Sequence, residues 1–140
     1  MLQEPQVFDG RGPAPPPLTA PVFQILLSLV DEELHGYAII QDIAARTGGE
    51  VRLTASTLYA AVKRLLDSGW IEELAERPRG VRDDPRRRYY RITRLGREAA
   101  RAEARRVERL AAMARAKRLL PPLRPSASPV SPVSPASKGT

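Results

Sequence analysis

The chain has 140 residues, with 23 Lys and Arg, 16 Asp and Glu, one His and no Cys. That length allows one domain of ordinary size with tails, and the missing cysteine excludes a disulfide framework, a thiolate metal site and a cysteine nucleophile, while a single histidine excludes a His-rich metal cluster. The net charge of +7 favours an anionic partner such as nucleic acid or a membrane surface; the longest apolar run, Val22 to Val30, falls short of the roughly 20 residues that span a bilayer, and no membrane partner is expected.

Residues 1–17, with Pro15-Pro16-Pro17, read as a flexible arm, and the first six residues lack the basic-then-apolar pattern of a secretory signal, so the expected location is cytoplasmic. Thr19 can cap a first helix, with Pro21 in its opening turn where a missing N–H costs little. Val22, Phe23, Ile25, Leu26, Leu27, Leu29 and Val30 make that helix apolar around most of its circumference, as suits a core or an interface. His35-Gly36 reads as the turn into a second helix, where Tyr37, Ile40, Ile43 and Ala44 keep helical spacing and Gly48-Gly49 stops it. Val51-Arg52-Leu53 reads as a stub of strand.

Thr54 or Ser56 then caps a third helix running to about Ser68, with Gly69 placed as the left-handed residue beyond its end. Leu58, Val62, Leu65 and Leu66 form one narrow apolar stripe, so Ser56, Ala60, Lys63, Arg64 and Asp67 face the other way and Tyr59 lies at the side. Trp70 to Leu74 and Arg88 to Ile92 have strand character around a polar loop, which makes a hairpin. Trp70 is expected in the core, and Tyr89 and Tyr90 on opposite strand faces, one packed and one outward. Thr93 caps a last helix of about 25 residues that Pro121-Pro122 ends, and the Ser-Pro-Val repeats of residues 121–140 read as a disordered tail.

Charge is divided unevenly along this plan. Residues 1–76 hold five basic and eleven acidic groups, a net of −6, whereas residues 77–118 hold sixteen basic and five acidic, a net of +11. The positive field therefore belongs to the hairpin and the last helix. A third helix with one apolar face can pack on the body and offer its other face to a DNA major groove. Small Ser56 and Thr57 near its start permit close approach, Lys63 and Arg64 reach phosphates or base edges, and Arg86, Arg87 and Arg88 follow the backbone or enter the minor groove. Tyr37 and Tyr59 can serve either packing or phosphate contact. His35, lacking partners of catalytic or metal type, reads as a turn residue.

The order of helix, helix, helix, hairpin and long helix gives a mainly α fold with a small β-hairpin: a winged helix-turn-helix over residues 18–93, followed by a dimerisation helix over 94–120. His35-Gly36-Tyr37, the block from Ser56 to Ile71 and Tyr89-Tyr90-Arg91-Ile92-Thr93 with Gly96 together resemble the PadR family of winged helix-turn-helix regulators, over about residues 18–119. The resemblance is to the smaller subclass with a single C-terminal helix. It implies a homodimer that represses through a palindromic operator in double-stranded DNA. The matching positions for DNA contact are Tyr37, Ser56, Thr57, Tyr59, Lys63, Arg64 and Arg86 to Arg88. Some relatives bind planar drugs with a tryptophan on the last helix; that helix has no aromatic residue here, so the chemistry of any small-molecule inducer stays open.

Val107, Leu110 and Ala114 fit a heptad seam that Glu103 and Lys117 interrupt. Pairing of Phe23, Leu26, Val107, Leu110, Met113 and Ala114 with a second copy accounts for a helix too polar to be buried and too apolar to be only solvated. No cofactor is expected, and no nucleophile motif, phosphate-cradling loop or metal signature supports an enzyme. A nucleic-acid-binding module without sequence preference, or a winged helix used for protein interaction, remains the alternative.

Overall fold

The computed structural model describes residues 17–78, 80 and 84–124. Residues 1–16 of the expected arm (1–17), residues 125–140 of the expected tail (121–140) and Arg79, Val81, Arg82 and Asp83 of the hairpin loop lie outside the described residues, and with them most of the span expected to be flexible or disordered. In chain order the elements are α1 (Ala20–Asp31), β1 (Leu34–His35), α2 (Gly36–Arg46), α3 (Ala55–Asp67), β2 (Ile71–Glu73), β3 (Tyr89–Ile92) and α4 (Arg94–Ala116). The chain divides into two compact units whose boundary, Arg106 to Val107, falls inside α4.

Three helices, α1, α3 and α4, begin on a threonine that the sequence provides. Thr19 Oγ1 accepts from the Val22 N–H at 3.4 Å with Pro21 in the opening turn, Thr54 Oγ1 accepts from the Thr57 N–H at 3.1 Å, and Thr93 Oγ1 accepts from the Gly96 N–H at 3.0 Å. The link between α2 and α3 turns on Gly48 and Gly49, with φ of 62° and 83°, a region costly for residues with a Cβ. Val51-Arg52-Leu53 forms no strand: it has no ladder partner, and Val51 and Leu53 instead pack against the core.

The core joins α1, α2, α3 and the sheet through Ile25, Leu26, Ile39, Ile43, Leu58, Leu65 and Ile71, all fully buried. Leu26 is 0% exposed, so its side chain belongs to the core of its own chain and is not free to meet a second copy, contrary to expectation. An all-round apolar helix does not reveal by pattern which face meets its own chain. Phe23 is half-buried and packs against this core. Trp70 packs there as expected.

The sheet has three antiparallel strands rather than the two of a hairpin, in the order β1-β3-β2. Leu34 pairs with Tyr90 and His35 with Tyr89; Ile71 pairs with Ile92 and Glu73 with Tyr90. This central position of β3 explains why both Tyr89 and Tyr90 are buried, contrary to the expectation of one outward ring. Tyr90 joins the core, while on the other face the His35 ring meets Tyr89 edge-on, with centroids 5.2 Å apart.

A polar network not visible in the sequence ties α1 to α2. Ser28, 4% exposed, donates to Asp42 Oδ2 at 2.7 Å, and Arg46 donates to Asp42 at 2.8 Å, to Ser28 Oγ at 2.7 Å and to the Gln24 carbonyl at 3.1 Å. Burial pushes the Asp42 carboxyl up, but the hydrogen bonds from Arg46 and Ser28 and the Arg46 charge outweigh it, so its pKa lies below the ordinary value.

In the second unit α4 ends at Ala116, before the two prolines, through Arg118 in a left-handed conformation (φ 63°) and a Leu119 N–H that donates to the Ala114 carbonyl at 2.9 Å. Among the described residues no helix is long and apolar enough to cross a membrane.

Candidate nucleic-acid interface

The local fold turns one face of α3 outward. Leu58, Ala61, Val62 and Leu65 are buried, so Ser56, Thr57, Tyr59, Lys63 and Arg64 are exposed by helical geometry. Thr57 is partly committed to the cap, since its hydroxyl accepts from Thr54 Oγ1 at 3.0 Å. Lys63 lies 3.4 Å from Asp67 one turn on, a pair so exposed that a phosphate can replace the carboxylate at little cost.

Tyr37 opens α2 and is 57% exposed; Tyr59 is 52% exposed. Both line a single cleft of about 440 Å³ with His35, Gly36, Asp84, Tyr90 and the three consecutive arginines Arg86, Arg87 and Arg88. Three elements distant in sequence thus bring two exposed phenols and three guanidiniums together beside the start of α2. Tyr59 can lie across that helix start because residue 36 has no side chain.

The cations of this cleft have carboxylate or imidazole neighbours, a feature the sequence reading missed. Arg86 donates to Asp84 through Nε and Nη2, both at 3.2 Å, and Arg88 is 3.9 Å from Glu73. Hydrogen bonds from the Arg86 side chain and backbone hold the Asp84 carboxyl below its ordinary pKa. Arg87 Nη1 lies 3.0 Å from His35 Nε2, while His35 Nδ1 accepts from the Ala38 N–H at 3.2 Å. His35 is therefore more than a turn residue: it caps α2, pairs in the sheet and meets the arginine run. Burial first, and then the Glu73 charge, raise the Tyr90 pKa, so its phenol stays protonated.

Not every expected contact residue enters this cleft. Ser56, Thr57 and Lys63 stand on the exposed face of α3 outside it. Arg64 lies on the flank away from Tyr59 and lines a separate cavity of about 340 Å³ with Pro17, Leu18, Val22, Leu65 and Trp70. Arg77, unremarked in the sequence, donates to the Asp84 carbonyl and braces the base of the loop. In the second unit Val107, Leu110 and Met113 are exposed and Ala114 is half-buried, so the expected seam is open to a partner in the single chain.

A helix-turn-helix whose second helix offers a polar face beside a basic wing defines a winged-helix DNA-binding regulator. Residues 25–102 match the transcriptional regulator PadR-like family, and the chain belongs to that family, whose members are transcription regulators and not enzymes. It is 38% identical over 72 residues to an uncharacterised protein of Lysinibacillus sphaericus, a match covering 51% of this chain and 63% of that protein, so the chain spans just under two thirds of that relative's length. A transcriptional regulator from Clostridium thermocellum is 26% identical with a TM-score of 0.60, covering 69% of this chain and 87% of that one. A PadR family transcription regulator from Clostridium difficile, 22% identical over 71% of this chain and 98% of that one, shares the fold with a TM-score of 0.57.

Proposed function

We propose that this regulator acts as a homodimeric repressor that occupies a palindromic operator and so blocks transcription. The observation that carries the reading is the cleft in which Tyr37 and Tyr59 face Arg86, Arg87 and Arg88 beside the exposed side of α3. In this reading α3 enters the major groove, with Ser56, Thr57 and Lys63 at base edges and phosphates. Arg64 reaches the backbone from its flank, and Arg86 and Arg88 exchange their carboxylate partners for phosphates of the adjacent backbone, beside Arg87. The two phenols add hydroxyl donors to the same phosphates.

The dimer forms through Val107, Leu110, Met113 and Ala114 of α4, with Phe23 as a further contact. A closed two-fold would set the recognition helices about 34 Å apart, one turn of DNA. An inducer, if the regulator has one, is a small molecule of a class that this site does not define.

The test is selection of genomic duplex fragments by the purified protein at about 150 mM salt, where weak phosphate binding is suppressed. Recovery of a palindrome with half-sites one turn apart is the expected result. Clear binding at low salt with no preferred sequence at higher salt would replace this reading with a module that grips nucleic acid without reading it.

A further inference from the structure

A second concentration of positive charge lies on the first half of α4, away from the wing cleft. Arg94, Arg101 and Arg105 recur at intervals of seven and four residues, which puts them along one line of the helix, Arg101 and Arg105 about 6 Å apart at 1.5 Å per residue. All three are exposed, Arg94 to 92% of its side chain. The opposite side holds Gly96, Ala99, Ala100, Ala102 and Glu103, all buried, so the line cannot turn inward.

Neighbouring arginines of this half are engaged within the fold: Arg97 donates to the Val30 carbonyl at 2.8 Å, and Arg106 pairs with the buried Glu103. Arg94 approaches Glu98 at 3.8 Å, whereas Arg101 and Arg105 have no ion pair or side-chain hydrogen bond among the described residues. Between Arg94 and Arg105 the side chains within about 60° of this line are Glu98 and Arg97, the latter engaged with the Val30 carbonyl. A peptide partner gains most of its affinity from a few large anchors seated in apolar pockets, whereas this line presents arginines and a glutamate. A phosphate backbone needs no pocket, only cations at intervals.

We propose that Arg94, Arg101 and Arg105 are a second, sequence-independent contact to the backbone of duplex DNA. This inference rests on the reading of the chain as a DNA-binding regulator. The wing arginines precede β3 and α4 follows it, so the two cationic surfaces lie at opposite ends of a four-residue strand, about 13 Å long at roughly 3.3 Å per residue. They therefore engage different phosphates, and the α4 line lengthens the footprint beyond the segment that α3 and the wing hold.

The test measures binding of the full chain to a 40-base-pair duplex of mixed sequence between 50 and 200 mM salt (~40 base pairs covers about four turns). Arg101→Gln/Arg105→Gln is compared with Arg86→Gln/Arg88→Gln and the parent. The α4 pair should lower the salt slope by about 1.8, two phosphate contacts at roughly 0.9 each, and weaken binding by about sixtyfold near 100 mM salt. An unchanged slope for the α4 pair, with a reduced slope for the wing pair, overturns the α4 contact and leaves the regulator reading standing. If neither pair changes the slope, the reading of the wing falls and the α4 contact falls with it. Binding of poly-glutamate that is lost in the α4 pair while DNA binding is kept would assign the line to an acidic protein and overturn the proposal.

Discussion

A methyl group added to Gly36 would stand 2.5 Å from the hydroxyl of Tyr59. Gly36 is the first residue of α2 and is buried, so α3 leans Tyr59 against a place where the preceding helix has no side chain. The nearest obstructing atom is the tip of an exposed side chain, which can rotate away; Cδ2 of buried Leu58, 3.0 Å off, has to give by only a few tenths of an ångström. Gly36→Ala should therefore leave the fold intact and move Tyr59 out of the cleft it shares with the wing. We expect duplex affinity to fall by about tenfold, about 1.4 kcal/mol, with a thermal midpoint within a few degrees of the parent. In Tyr59→Ala the Gly36→Ala change should have no further effect on affinity, and a double-mutant cycle measures this; full additivity would sever the two residues.

Gly96 makes the opposite prediction. A Cβ there would lie 2.0 Å from the Trp70 carbonyl oxygen, a backbone atom that cannot rotate aside, and that same oxygen accepts from the Thr93 N–H at 3.0 Å. Gly96→Ala should destabilise the protein by about 2 kcal/mol or more through displacement of the start of α4 from the turn after α3, measured by denaturant titration.

Lys63 and Arg64 stand one residue apart on α3 yet look to different sides of it. Lys63→Ala should reduce discrimination between operator and random duplex, while Arg64→Ala should weaken both by similar factors. Each loss should be about tenfold, with the dimer intact. Competition binding of the two duplexes separates these outcomes, and a selective loss in Arg64→Ala would place that guanidinium at a base.

The network around Asp42 carries a pH dependence of defined sign. Its carboxyl titrates lower in the folded chain than in the unfolded one, so the stabilisation is fully present above the unfolded pKa, near 3.9, and is lost as pH falls through the depressed folded value. Asp42→Asn should be less stable than the parent by about 1 kcal/mol at pH 7, a modest figure because the pair is one-third exposed and screened. The difference should shrink below about pH 4, and a variant equally destabilised at pH 2.5 and pH 7 would contradict it.

Leu110→Lys places a charge at an exposed position of the α4 seam, where it costs the single chain little. The prediction is conversion of a dimer to a monomer in sedimentation equilibrium, with loss of cooperative operator binding. An unchanged dimer would move the interface elsewhere.

Local rules made most of this fold legible. Thr19, Thr54 and Thr93 start their helices, the glycine pair separates α2 from α3, and the stripe from Leu58 to Leu65 orients α3. What escaped depends on contacts distant in sequence. Two residues, Leu34 and His35, are too few to show alternation, so β1 was invisible, and with it the burial of Tyr89. Leu26 looked the same as Phe23 within an all-round apolar helix until packing distinguished them. The separation of Arg64 from Tyr59 follows from helical spacing, but its consequence required the positions of Trp70 and the wing. The Ser28, Asp42 and Arg46 network has residues of common types at spacings that no motif records.

His35 is at once a rung of the sheet opposite Tyr89, the cap of α2 and a neighbour of Arg87. These contacts tie the base of the wing to the start of α2, so under the proposed function the wing and the helix-turn-helix are linked, and a shift of one disturbs the other. In the proposed complex a base pair inserted or deleted between groove and flanking backbone contacts would be met by a twist or bend of the duplex, at an elastic cost that depends on its own sequence. A reader of that kind would select DNA by its mechanical compliance at positions it never touches.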